Sequence, residues 1–444
     1  MKKRLWDFYR FISTSTFLLA TGVFLALIWA NYNYISYTEF FTEVIFKDIF
    51  VGHPHLGSDG IVHKEFNFAY LAMLMMSLFM FVAGKEVFEA MFLEGGVLRG
   101  SKAATPVITT LGGVIGPAAV YLLISSYFGS AIYANLENGW TISTATDIIF
   151  AGLIGNFIYG KEKHPAKSFL IALAIIDDVI AVFIMAYMYP NIPLVPEPLL
   201  VLLVGLGLVY LIFNYTPTFL DRKNRTRKYS IFFKETFGVW PYFIAGLGSL
   251  YAFQEAGIHP ILGLLPIVPI IPHADMDFGM LVDSEPKQTD LLNTLEHKFE
   301  HFIPFSLFFF GLASAGIEFS SINEATYAVV GGLAIGKPLG IFVFGIISVY
   351  LLRLGLSEGM DNKDLVVVGC IASVGFTVAL VFTEAAFPPG SIKDGAKMGS
   401  LISLFSGTVL AFVSAYILRV GRVYDNVQNF ISSFRSKLGG LRRV

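Results

Sequence analysis

Apolar runs of about twenty residues recur along nearly the whole of this 444-residue chain, and no feature constrains its fold more. A helix rises about 1.5 Å per residue, so roughly 20 residues cross the ~30 Å hydrocarbon core of a bilayer. Hydrophobic residues make up 55% of the sequence and charged ones only 14%, more apolar surface than one soluble core can hide. In lipid every backbone polar group must find a partner inside the protein, which favours helices as the spanning element. The chain therefore reads as an all-α polytopic membrane protein of about twelve transmembrane helices. Their approximate bounds are 11–30, 66–92, 103–124, 138–157, 167–189, 198–214, 237–253, 257–271, 296–316, 326–349, 363–386 and 396–418. The first is too long for a signal-peptide core and reads as a retained helix. Residues 1–444 form a single membrane domain, with a long loop at 31–65, a basic loop at 219–235 and a basic tail at 419–444.

Twelve spans put both termini on one side. If that side is the cytoplasm, 25 of the 31 lysines and arginines fall in cytoplasmic segments. Only Lys47, Lys64, Lys393 and Lys397 then lie outside, and Lys85 and Lys337 lie within spans. Basic residues, not net charge, set orientation, so both termini are expected to be cytoplasmic. The loop 31–65 is then external, and Ile35-Ser-Tyr-Thr and Glu43-Val-Ile-Phe within it have strand character.

Within the fifth run, Asp177 and Asp178 stand side by side about ten residues from either end, near the bilayer midplane. A charged aspartate there costs on the order of 2.5–3.5 kcal/mol even on the most lenient scale. A purely structural helix has no reason to carry two. Asp147 in the fourth run and Lys337 in the tenth lie at similar depth, so three acids and one base on three helices suggest one cluster. Neighbouring residues on a helix point about 100° apart, so one aspartate can face a cavity while the other pairs with Lys337.

Two helices read as locally weak. Thr141, Ser143, Thr144 and Thr146 precede Asp147, and residues 372–377 read Ala-Ser-Val-Gly-Phe-Thr. Such residues compete with helical backbone bonding, and unwound chain at membrane depth is viable only when buried or lining a cavity. Half-helix ends carry partial charges that Asp147 and Lys337 have the signs to offset.

These residues carry a resemblance. Thr144-Ala-Thr-Asp147-Ile, Ala172-Leu-Ala-Ile-Ile-Asp-Asp178 and Ile335-Gly-Lys-Pro-Leu-Gly-Ile341 resemble three signatures of NhaA-type sodium/proton antiporters. Gly375-Phe-Thr377 and Ala256-Gly-Ile-His259 are similar to two more, in the same order and at similar spacing. The architecture of that family comes with the resemblance: inverted repeats with two discontinuous crossing helices, the fourth and the eleventh, near the midplane. The resemblance implies that Asp178 is the main carboxylate for Na+ or Li+ and for protons, with Asp147 and Thr146 beside it. It implies that Asp177 pairs with Lys337 in the cation-free state, and that Ser373, Gly375 and Thr377 belong to a helix break. It also implies a homodimer with a hairpin in the first external loop, a bacterial inner-membrane location and pH sensing through Glu86, Glu296 and His259. In the sensor stretch Gly84-Lys-Glu-Val-Phe-Glu-Ala90 the sequence departs from the family, because Phe88 and Glu89 stand where relatives carry basic residues.

The expected activity is therefore secondary antiport of Na+ or Li+ against protons, not an enzymatic reaction. Oxygen ligands suit hard cations, and desolvation favours the neutral form of a carboxylate, so protons can compete for the same groups. Exchange is electrogenic if Lys337 or Asp177 also titrates. The alternative is a sodium-coupled symporter of an organic anion with the same architecture, although no arginine clamp is evident. Intramembrane prenyl transferases repeat their acids one turn on, where Ala181 and Val182 stand, and no repeated selectivity loop suggests a pore. One cysteine, Cys370, excludes a disulfide framework, and the histidines lack metal-ligand spacing. No cofactor and no nucleic-acid partner are expected; the partners are Na+, Li+, H+, membrane lipids and a second copy of the chain.

Overall fold

The computed structural model describes residues 2–47, 51–56, 62–92, 104–160, 164–190, 194–222, 228–272, 302–356 and 359–421. In chain order, α1 (Lys2–Tyr32) and α2 (Tyr34–Thr42) precede strands β1 (Phe46–Lys47), β2 (His53–Leu56) and β3 (Val62–Phe66). Then come α3 (Phe68–Phe92), α4 (Ala104–Tyr127), α5 (Ser130–Thr144, 3-10 from Glu137), α6 (Ile148–Tyr159), α7 (Pro165–Met188), α8 (Glu197–Asp221) and α9 (Lys228–Phe237). The remainder is α10 (Trp240–Glu255), two 3-10 turns, α11 (Ile303–Ser314), α12 (Glu324–Leu351), α13 (Asn362–Ala372), α14 (Thr377–Ala386) and α15 (Ser391–Leu418). Among the described residues seven helices are long and apolar enough to cross a membrane, or nine if each bent pair counts as one span. This is a multi-pass membrane protein.

Residues 100–181 and 319–444 make one compact unit, and residues 1–99 and 182–318 the other. In the first, α4 packs along α12 through glycines. A Cβ at Gly116 would run into the Gly336 carbonyl, and one at Gly340 into the Gly112 carbonyl, so only glycine lets these backbones approach so closely. Gly332–Gly336 forms a π-turn that ends at Lys337. The chain breaks twice in this unit. The α5–α6 pair bends by 49° and the α13–α14 pair by 54°.

In the other unit, α1 packs on α11 and α11 on α3. The expected strand Ile35–Thr38 is instead helical, because Asn33 caps α2 by accepting the Ser36 N–H and Tyr37 and Phe41, one turn apart, are buried. Trp29, Phe40 and Phe41 gather around Tyr37, whose hydroxyl donates to the carbonyls of Leu312 and Ala313. The strands present are antiparallel in the order β1-β3-β2, with His55 opposite His63 and Phe46 opposite Phe66. The expected helix 257–271 is only two 3-10 turns, Pro260–Leu262 and Leu265–Ile270. Pro260, Pro266 and Pro269 remove the donors that a continuous helix requires.

Candidate functional site

The two breaks meet. Asp147 is the extended residue that caps α6, and its backbone N–H donates to the Val374 carbonyl at 2.8 Å. Its Oδ1 accepts the N–H groups of Ile149 and Phe150, both at 3.1 Å. Its Oδ2 accepts the N–H of Thr377 at 3.0 Å and the Thr377 hydroxyl at 2.7 Å. Thr377 is the first residue of α14, so one carboxylate closes the N-termini of two half-helices, where the partial positive charge of each backbone dipole lies. Thr146 donates its hydroxyl to the Ala372 carbonyl at 3.3 Å, tying the unwound segment to the end of α13.

Lys337 has the opposite duty. Its ammonium is wholly buried, donates to Asp177 Oδ2 at 2.7 Å and also donates to the carbonyl of Thr144, the last residue of α5. A cation thus occupies the negative end of a half-helix, as the dipole requires. The bond to Asp177 compensates the second charge, since a buried ion is tolerated only when paired.

Asp178 stands apart in its bonding. It is buried and feels the fields of Asp177, Asp147 and Lys337, yet it makes no hydrogen bond or ion pair with any described residue. Its oxygens are the uncommitted acceptors of the cluster. Ser373 follows α13 and donates to the Cys370 carbonyl at 2.7 Å, which leaves its own oxygen within the break. Gly375 is required by space, because a Cβ there would lie 2.5 Å from the Ala145 carbonyl of the opposing break. Hard cations prefer carboxylate, hydroxyl and carbonyl oxygens, and this constellation offers all three.

Of the other residues singled out in the sequence, Glu86 and His259 belong to the other compact unit. Lys85 lies 3.5 Å from Glu86 and pairs with Glu89 at 3.1 Å, so the departures from the family motif make a local ion cluster on α3. His259 accepts the Ile261 N–H through Nδ1 and caps a 3-10 turn. Glu296 lies outside the described residues. Sequence reasoning missed Ser403 on α15, whose hydroxyl reaches the Gly375 carbonyl at 3.3 Å. Ser400 and Ser403, nearly one turn apart in an apolar span, were the available signal.

Known proteins resemble this chain along nearly its whole length. Residues 7–418 match the family model described as Na+/H+ antiporter 1. The chain is 45% identical over 412 residues to the Na(+)/H(+) antiporter NhaA of Jannaschia sp. (strain CCS1), covering 92% of this chain and 97% of the relative. It is 35% identical over 387 residues to the protein of that name from Geotalea uraniireducens (strain Rf4), covering 87% and 90%. It is also 36% identical over 412 residues to Na(+)/H(+) antiporter NhaA 2 of Pelobacter propionicus, covering 91% and 96%. Relatives this similar along nearly their whole length leave no room for a different fold or family: the chain belongs to the NhaA family of Na+/H+ antiporters.

Proposed function

We propose that the protein exchanges Na+ or Li+ for protons across the bacterial inner membrane by alternating access, with cation and protons competing for Asp178. The observation that carries this reading is the contrast among the acids: Asp147 and Asp177 are committed to helix ends and to Lys337, whereas Asp178 is buried and uncommitted. Thr146 and Asp147 lie at the break that would complete the shell of a dehydrated ion. On this reading Lys337 releases Asp177 when a cation loads, and titration of that pair makes the exchange electrogenic. Twelve spans with both termini in the cytoplasm, a homodimer joined through the external 31–65 region, and pH regulation through Glu86, Glu296 and His259 complete the proposal. The organic-anion symporter draws no support, since the relatives named are all antiporters and no arginine clamp is present in the sequence.

In proteoliposomes loaded with a pH dye, Na+ or Li+ added to the wild-type protein should move protons, and Asp178→Ala should abolish that movement. A folded Asp178→Ala protein that exchanges as well as the wild type would end the proposal.

A further inference from the structure

A cavity of about 220 Å³ opens in the unit formed by residues 1–99 and 182–318, bounded by α3, α10 and the 3-10 turns that follow α10. Among the described residues only two polar side chains, Ser77 and Tyr242, reach its wall. Both have their hydroxyls turned to other partners: Ser77 donates to the Leu74 carbonyl at 2.6 Å, and Tyr242 donates to Asn214, whose own amide donates to the Ile270 carbonyl. The wall therefore offers neither water nor a polar ligand the two or more partners it needs. Aliphatic and aromatic carbon lines the rest. Gly246 forms part of the wall, and a Cβ there would lie 3.0 Å from Ile267 Cδ1 and 3.3 Å from Leu264 Cδ2, both on side chains that line the cavity.

The mouth identifies the occupant. Phe243 and Leu247, one turn apart on α10, are 45% and 54% exposed and stand at the opening. Ile244 on the same helix is more exposed still, and α8 displays Leu200, Val201, Leu203 and Val204. The helix α8 is one of the apolar spans and packs beside α10, so on a bilayer reading of α8 the medium at the mouth is lipid tails and not water. We infer that this cavity is a binding site for one acyl chain of a bilayer phospholipid, inserted past Phe243 and Leu247. Insertion removes apolar surface from poorly packed space and leaves no protein donor or acceptor unpaired.

The test uses the full chain in vesicles of phosphatidylethanolamine and phosphatidylglycerol, doped with phosphatidylethanolamine carrying a photoreactive diazirine on its acyl chain. After irradiation, adducts should be denser on Ser77, Gly246 and Leu250 than on the freely exposed Leu200 to Val204 surface. Two variants that fill the cavity from opposite walls, Leu74→Phe on α3 and Leu250→Phe on α10, should each cut the cavity adducts by about fourfold, as the loss of room for roughly one methylene implies. Adducts on α8 should not change. Wild-type labelling no denser in the cavity than on α8 overturns the inference without recourse to any variant. So does labelling that survives both fillings, or a Leu247→Cys variant that on oxidation forms a disulfide with a second copy of the chain in place of lipid adducts.

Discussion

Lys337 shows what a charge at this depth demands. Its two anchors, the Asp177 carboxylate and the Thr144 carbonyl, each answer a different need, one ionic and one dipolar. Removing one member of a buried pair leaves the other uncompensated, at about 3–5 kcal/mol. Lys337→Met should therefore lower the thermal midpoint of the detergent-solubilised protein markedly, and the double change Lys337→Met with Asp177→Leu should recover most of the loss. A single variant as stable as the parent would show that the pair carries little of the fold. That Asp147, Asp177, Asp178 and Lys337 fall well inside apolar runs was legible by counting along the sequence. That Asp177 is the one that pairs with Lys337 came from the family resemblance and not from spacing, because the rotation of α7 about its own axis is set by long-range packing that no local pattern records.

At the level of elements, the breaks were legible and the strands only in part, since Glu43-Val-Ile-Phe runs into β1. Ser, Thr and Gly compete with helical bonding from within their own segment, so residues 141–147 and 372–377 betray their unwinding in sequence. The stretch Ile35–Thr38 has strand-forming residues, but an Asn33 cap and the packing of Tyr37 and Phe41 outweigh that preference. The π-turn before Lys337 left no trace in the sequence, and neither did the register of glycines between α4 and α12, which depends on contacts about 220 residues apart. That register makes a prediction. Gly340→Ala forces a Cβ against the Gly112 carbonyl and should destabilise by about 1–3 kcal/mol, as overpacking does. Gly205→Ala on α8, where the added carbon meets nothing within 4 Å, should be neutral or stabilising by up to about 1 kcal/mol. Thermal unfolding of the two variants side by side checks the contrast; equal effects would remove close packing as the reason for glycine at 340.

For the whole molecule the open quantity is sidedness, and the chain is well suited to measuring it. Cys370 is the lone cysteine and is buried, so the natural protein has little reactive thiol background. Asn135→Cys, on exposed chain expected outside, should react with a membrane-impermeant maleimide in intact cells. Lys228→Cys and Lys234→Cys on α9 should react only after the membrane is opened. Reaction of either α9 position from outside would reverse the topology.

A single carboxylate at position 147 stops two helices at once, so shape and charge cannot be pulled apart there. An amide of the same size keeps one accepting oxygen, so it can close one helix end while its NH2 is turned on the N–H groups of the other, which are left without an acceptor. The outcome would be a pair of half-helices that one side chain no longer closes, a defect of hydrogen bonding as well as of charge.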